Sequence, residues 1–165
     1  MSSGATWGDG VASPHGIQNR FDTLGLATVF GSFDAFIAAA QWYQFANLKY
    51  EIEFMRAHSV ITGYVITELT DAHWESNGLL DMNRNPRVFH DRFASINADV
   101  VIVPKIARYS GIAGEVFSFG LGVATGGKRL GAAVLHWQAD SAEGGKINMA
   151  GSEPLGHVDL GQIEF

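Results

Sequence analysis

Cysteine is absent from the 165-residue chain, which excludes disulfide frameworks, thiolate metal sites and cysteine nucleophiles. Charge is scarce at 17% of residues, and basic side chains are the scarcer sign, 11 against 17 acidic. The resulting net charge of −6 argues against a nucleic-acid or anionic-membrane partner. No apolar run approaches the roughly 18 residues of a membrane span. The opening Met1-Ser2-Ser3-Gly4-Ala5-Thr6-Trp7 has neither the basic region nor the apolar stretch of an export signal, and no Asn-x-Ser/Thr acceptor occurs. Compartment therefore stays open, with a cytoplasmic placement expected over a secreted one. Proline occurs only four times. What is present is 47% hydrophobic and 12% aromatic residues with 20 glycines, enough for one domain or two small ones with a real core and many turns.

The pattern changes near Asn97. Before it, helical periodicity dominates. Ser13-Pro14 reads as an N-cap followed by proline at the first helical position, and Ile17, Phe21 and Leu24 then form one face of a short helix that Gly25 ends. Ser32 and Asp34 open a long helix running to about Met55, with Ile37, Phe45, Leu48, Ile52 and Met55 as its apolar stripe. Trp42, Tyr43 and Tyr50 are expected to widen its buried face. Residues 60–66, Val-Ile-Thr-Gly-Tyr-Val-Ile, are apolar nearly throughout, as in a strand covered on both faces of a parallel sheet. Asn85-Pro86 precedes a predicted helix over 87–95 with Val88, Phe89, Phe93 and Ile96 inward.

Beyond Asn97 the pattern is that of short strands. Residues 100–103 form one, stopped by Pro104, and 106–109 another. Residues 115–123 alternate, a Gly126-Gly127 turn leads into 130–138, Gly144-Gly145 into 147–150, and 158–165 closes the chain. The pattern fits an immunoglobulin-type sandwich that stops early, with about five strands where roughly seven are wanted.

The sharpest chemistry follows residue 66. A strand ending in Thr67, Glu68, Thr70, Asp71, His73, Trp74, Glu75, Ser76 and Asn77 resembles the C-terminal face of an α/β barrel, where active sites sit. Trp74 could stack on a sugar ring while Glu68, Asp71 and Glu75 accept bonds from hydroxyls; equally, the stretch reads as a solvated loop with Asp71 or Asn77 capping backbone. Residues 122–129 nearly spell a phosphate-binding loop, but Arg129 stands where Ser or Thr is required, and a glycine hairpin is the better reading. The six histidines show no i, i+4 pair, so no metal set is predicted, and no Gly-x-Ser-x-Gly elbow supports a serine triad.

Residues 7–93 resemble the end of the catalytic barrel of glycoside hydrolase family 2, the β-galactosidase, β-glucuronidase and β-mannosidase family. The resemblance is carried by Phe30-Gly31-Ser32-Phe33-Asp34, by Gln44-Phe45-Ala46-Asn47-Leu48-Lys49-Tyr50-Glu51-Ile52-Glu53, by Gly63-Tyr64-Val65-Ile66-Thr67-Glu68-Leu69-Thr70-Asp71, and by Asn77-Gly78-Leu79-Leu80-Asp81 with Arg84-Asn85-Pro86. It implies an α/β plus β architecture. Residues 1–97 would be the C-terminal part of a (β/α)8 barrel, its last helices and strand eight. Residues 98–165 would be an incomplete immunoglobulin-like β-sandwich. A whole barrel takes about 250 residues, so a fragment is expected.

Family members hydrolyse β-glycosides with retention through two glutamates about 5 Å apart, and on this mapping both precede Met1. Glu68 invites a rival mapping as the nucleophile, but a single helix separates its strand from the sandwich, as for strand eight. Where Thr67 stands, a common family form has tryptophan, which leaves Trp74 as the aromatic to face the sugar. The resemblance thus implies substrate-binding roles for Glu68, Asp71, Trp74 and Glu75, no catalytic residue within this chain, no cofactor and no metal. Its partners would be a β-glycoside together with the missing N-terminal part of the enzyme, or self-association. The alternative is a non-catalytic carbohydrate-binding or domain-docking module.

Overall fold

The computed structural model describes residues 16–72, 75–126, 130–139 and 149–155. The expected features at Ser13-Pro14, at 127–129, at the Gly144-Gly145 turn and at 158–165 lie outside the described residues. The chain divides into two compact units, one made of Met1–Ile52 and Gly63–Asn97, the other of Glu53–Thr62 and Ala98–Phe165.

In the first unit, helix α1 (Ile17–Thr23) closes where expected. Gly25 takes a left-handed φ of 63°. Its N–H donates to Asp22 O at 3.0 Å, and Leu26 N–H donates to Phe21 O at 3.1 Å. These are the two bonds that satisfy the last carbonyls of a glycine-terminated helix. A four-residue α2 (Ala27–Phe30) follows, and then α3 (Phe33–Arg56). Ser32 Oγ accepts from Ala35 N–H at 3.1 Å, satisfying one of the orphan donors of the first turn as an N-cap should. All five stripe residues of α3 are buried or half-buried. Phe21, Phe33 and Phe36 pack in one aromatic cluster, and Phe45 lies 5.6 Å from the Phe89 ring. Phe89 is 1% exposed and Ile52 equally so, which marks where this unit's core sits.

Three expectations for this unit are corrected. Trp42, Tyr43 and Tyr50 are exposed rather than buried: the helix is covered along one stripe only, and these rings fall beside it. The last helix, α4 (His90–Ile96), starts three residues later than its sequence reading; Val88, before it, donates its N–H to Gln41 Oε1 at 2.9 Å and has an exposed side chain. Residues 60–66 form no strand. Val65 is 92% exposed, and no parallel neighbour exists among the described residues to supply a ladder. Apolar composition marks a segment able to be a buried strand, but only neighbouring strands make it one.

In the second unit, β1 (Val101–Ile106) pairs antiparallel with β2 (Phe119–Ala124), Val101 opposite Ala124 and Ile106 opposite Phe119. Pro104 does not stop β1 but sits within it, opposite Leu121, so one strand ending at Ile106 replaces the two expected at 100–103 and 106–109, and residues 107–109 form no strand. β1 pairs on a single side among the described residues, and an outer edge is where a residue without an N–H is tolerated. The strand expected from Glu115 begins only at Phe119, and its burial does not alternate but deepens from exposed Phe119 to buried Gly122, Val123 and Ala124. Val101, Val103 and Ala124 form the core here, with Ala57 and Ala98 against them. The last turn of α3 belongs to this unit, and its Arg56 guanidinium donates to the carbonyls of Ala98 and Asp99, tying the helix end to the chain entering β1.

A second pair, β3 (Ala133–Ala139) with β4 (Met149–Leu155), is also antiparallel. β4 extends five residues past the expected end at Ala150, through Pro154. Among the described residues β2 pairs with β1 and β3 with β4, so the strands before and after the expected glycine turn are not hairpin partners. The element that follows those glycines is a strand, so the strand–loop–helix setting of a phosphate-binding loop is missing. Opposite Trp137, the indole covers Gly151 so closely that a Cβ there would overlap its ring. Among the described residues no helix is long and apolar enough to cross a membrane.

Candidate functional site

The residues that the sequence singles out lie in the first unit, on the loop that follows residue 66. That loop is tied into a compact frame by its own backbone. Leu79 N–H donates to Glu68 O at 3.1 Å, Leu80 N–H to Leu69 O at 2.9 Å, and Asp71 N–H back to Leu80 O at 3.1 Å. A short parallel bridge between Thr70 and Leu80 results. The Thr67–Glu68 peptide bond is cis.

Asp71 is the centre of the frame. Its Oδ1 accepts from Gly78 N–H at 2.9 Å and from Arg87 Nη2 at 2.5 Å. Arg87 spreads its fork further, with Nε donating to Gly78 O at 3.1 Å and Nη2 to Ser76 O at 3.2 Å. The two side chains are only 12% and 13% exposed, so the ion pair is largely shielded from water. A desolvated pair is better tolerated when further hydrogen bonds accompany it, and Arg87 places Nε and Nη2 donors on carbonyls of the same loop. From helix α3, Gln44 Nε2 reaches Asn77 O at 2.5 Å and Gly78 O at 3.3 Å, anchoring the loop to the helix. Gly78 sits where a Cβ would run into the backbone of Thr70, Asp71 and Leu80, and only glycine fits.

Of the four expected binding residues, Asp71 is thus engaged as a strut. Glu68 is half-buried. Its Oε1 is shut off from solvent and has no hydrogen-bond partner. Glu75 is exposed and exchanges backbone bonds with Ala72 at 2.9 and 3.2 Å. Trp74, like His73, lies outside the described residues. Arg87, Gln44 and Gly78 were not singled out from the sequence. Arg87 reads as the first residue of a helix and Gln44 as a polar position off the apolar stripe of the long helix, and neither carries a local pattern that points sixteen or thirty-four residues along the chain.

A neighbouring turn is held by Asp81. Its Oδ1 accepts from Asn85 N–H at 2.7 Å and its Oδ2 from Asn85 Nδ2 at 2.8 Å, while Arg84 closes the turn with a left-handed φ of 64°. Burial pushes the Asp81 carboxyl up, but the Asn85 side chain, the Asn85 and Asn83 backbone donors and the Arg87 charge outweigh it and hold it below its ordinary value. A carboxylate with a lowered folded pKa stabilises fully above its unfolded value of about 3.9 and loses that contribution as pH falls through the folded one. Asp81→Asn is therefore expected to lower the urea midpoint at pH 7. The gap to the wild type should shrink progressively as the pH is taken below about 4. Urea titrations across that range check it; a gap that stays constant with pH would refute the linkage.

Among the described residues no group of three His, Asp or Glu side chains is arranged to hold a metal ion. No family model matches the chain, and neither a curated protein nor a solved structure does.

Proposed function

We propose that this chain is the C-terminal part of a retaining β-glycosidase of the glycoside hydrolase family 2 kind, contributing sugar-binding residues but not the catalytic glutamates. The observation that carries the reading is Glu68: a buried carboxylate oxygen without a donor, in the loop that the family resemblance assigns to the ligand-presenting face of the barrel. An ionised carboxylate only accepts hydrogen bonds, and leaving one buried oxygen unpaired costs about 1–3 kcal/mol. A ligand that brings a hydroxyl to it recovers that cost, which is the role assigned to Glu68. Asp71 acts with Arg87 to hold the loop in shape, and sugar-binding roles are assigned to Glu75 and Trp74. In the parent enzyme one glutamate attacks the anomeric carbon and the other protonates the leaving oxygen, giving hydrolysis with retention.

Incubated with nitrophenyl β-galactoside, β-glucuronide and β-mannoside, the chain is expected to release no nitrophenol. Isothermal titration with the corresponding sugars should show weak binding that Glu68→Gln diminishes. Turnover abolished by Glu68→Gln would instead make Glu68 a nucleophile and overturn the mapping.

The second reading, a non-catalytic carbohydrate-binding module, is favoured by a different place. An open groove of about 500 Å³ on the β3–β4 pair is lined by His136, Trp137, Gln138, Ala150, Gly151 and Ser152, with His136 Nδ1 and Ser152 Oγ 2.8 Å apart. An indole beside exposed hydrogen-bonding groups is a surface that sugars use. Binding lost in Trp137→Ala but kept in Glu68→Gln selects this reading over the first.

A further inference from the structure

We infer that Asn77 is a site of spontaneous covalent modification, isoaspartate formation at the Asn77–Gly78 bond, and that the frame around Asp71 sets its rate. Of the asparagines in the chain, Asn77 alone is followed by glycine. With no Cβ on the next residue, nothing shields the Gly78 nitrogen from the Asn77 side-chain amide. The reaction needs only water. The Gly78 nitrogen bonds to Asn77 Cγ and gives up its proton, the Cγ–Nδ2 bond breaks, and ammonia leaves with that proton. A succinimide ring is left. Water then adds to one of its two carbonyls. Opening at the side-chain carbonyl gives aspartate; opening at the main-chain carbonyl gives isoaspartate, whose backbone runs through the former side chain and is one methylene longer. The sum is an amide and water converted to a carboxylic acid and ammonia.

The fold both requires this glycine and restrains it. A Cβ at position 78 would run into the backbone of Thr70, Asp71 and Leu80, so the reactive dipeptide comes with the frame. Asn77 is exposed, and its side-chain amide makes no hydrogen bond among the described residues that would hold it away. The backbone is held instead. One planar peptide carries Asn77 O and Gly78 N–H. Gln44 Nε2 donates to that carbonyl at 2.5 Å, and the N–H donates to Asp71 Oδ1 at 2.9 Å. For the nitrogen to meet Cγ the plane must turn, which breaks both bonds. Attack also requires the nitrogen to lose its proton, and the carboxylate beside it disfavours that loss. The closed frame thus suppresses a reaction that the sequence favours, and each opening of the frame exposes the bond. Once isoaspartate has formed, the longer backbone and a new carboxylate near Asp71 prevent the same bonds from re-forming. The change is one-way.

The test keeps the chain for days in mildly alkaline buffer, folded or in guanidinium chloride, and follows every asparagine by tandem mass spectrometry of its peptides. In guanidinium, Asn77 is expected to convert before any other asparagine. In the folded chain it should convert at least about tenfold more slowly, because two hydrogen bonds must open first. Gln44→Met, with a far-ultraviolet circular dichroism spectrum like that of the wild type, releases the carbonyl end of the plane and should speed conversion several-fold. The comparison of folded with unfolded wild type decides even where Gln44→Met folds poorly. Equal rates in the two states, another asparagine converting first in guanidinium, or a folded Gln44→Met chain no faster than the wild type would each overturn the inference. It rests on the hydrogen bonds of the loop and not on the glycosidase reading, so sugar titration decides the one and mass spectrometry the other.

Discussion

Arg87→Ala is expected to destabilise the first unit by about 3–5 kcal/mol, the usual consequence of removing one partner of a buried ion pair. The guanidinium supplies three bonds at once, to Asp71 Oδ1, Gly78 O and Ser76 O. Without it, Asp71 keeps a charge in a site only 13% exposed, with the Gly78 N–H at 2.9 Å as the donor left to its Oδ1. Against a domain stability of about 5–15 kcal/mol the loss is large enough to populate unfolded chain at ordinary temperature. Arg87→Lys should recover only part of it, because an ammonium cannot reproduce the planar fork. The double variant Arg87→Met with Asp71→Leu should be less destabilised than Arg87→Ala, since no buried charge is then left alone. Urea unfolding of these proteins, with the single variants Arg87→Met and Asp71→Leu completing the cycle, measures these differences; a double variant as unstable as the sum of its two singles would show that the pair is not coupled.

The second large effect is expected from a single methyl group. Gly78→Ala places a Cβ against Thr70 C and Leu80 O, at 2.6 and 2.7 Å, and closer still to Asp71 N. These are backbone atoms of the frame itself, which cannot rotate away as a side chain would. Overpacking of this kind costs about 1–3 kcal/mol and occasionally more, and the upper end is expected here because the same residue also donates to Asp71 and accepts from Arg87 and Gln44. Gly63→Ala is the matched control: nothing lies within 4 Å of a Cβ at that position. A thermal melt showing the two alanine variants equally stable would mean that the loop yields to accommodate the methyl.

The frame around Asp71 explains which parts of this protein could be read in advance. Helix α3 was legible because its signals are local: the Ser32 cap bonds a residue three positions on, and the apolar stripe repeats along one face. Gly25 as the end of α1 is of the same kind. The loop at 67–81 stood out by composition, and Asp71 and Glu68 were picked as residue types. Their environments were not legible, since Arg87 is sixteen residues from Asp71 and Gln44 is on another element altogether. Charge type and spacing do not distinguish a carboxylate that binds a ligand from one that holds a loop. Pro104 was misread for a related reason: proline breaks a strand only where its missing N–H is needed, and that depends on which side the strand is paired.

Residues 60–66 mark the boundary between what the chain specifies by itself and what folding decides. Cap residues, helix periodicity, turn glycines and the lack of cysteine act over a few residues, and they determined α1, α3, the start of the strand-rich half and the chemistry that is excluded. Burial, strand pairing and the partner of each charged group depend on what arrives from elsewhere in the chain. Tertiary structure therefore decided that β1 pairs with β2 and β3 with β4, that Asp71 belongs to Arg87, and that the most apolar extended run in the sequence stays without a ladder. The physical reason is that a helix satisfies its backbone from within, whereas a strand and a buried charge are satisfied only by a neighbour.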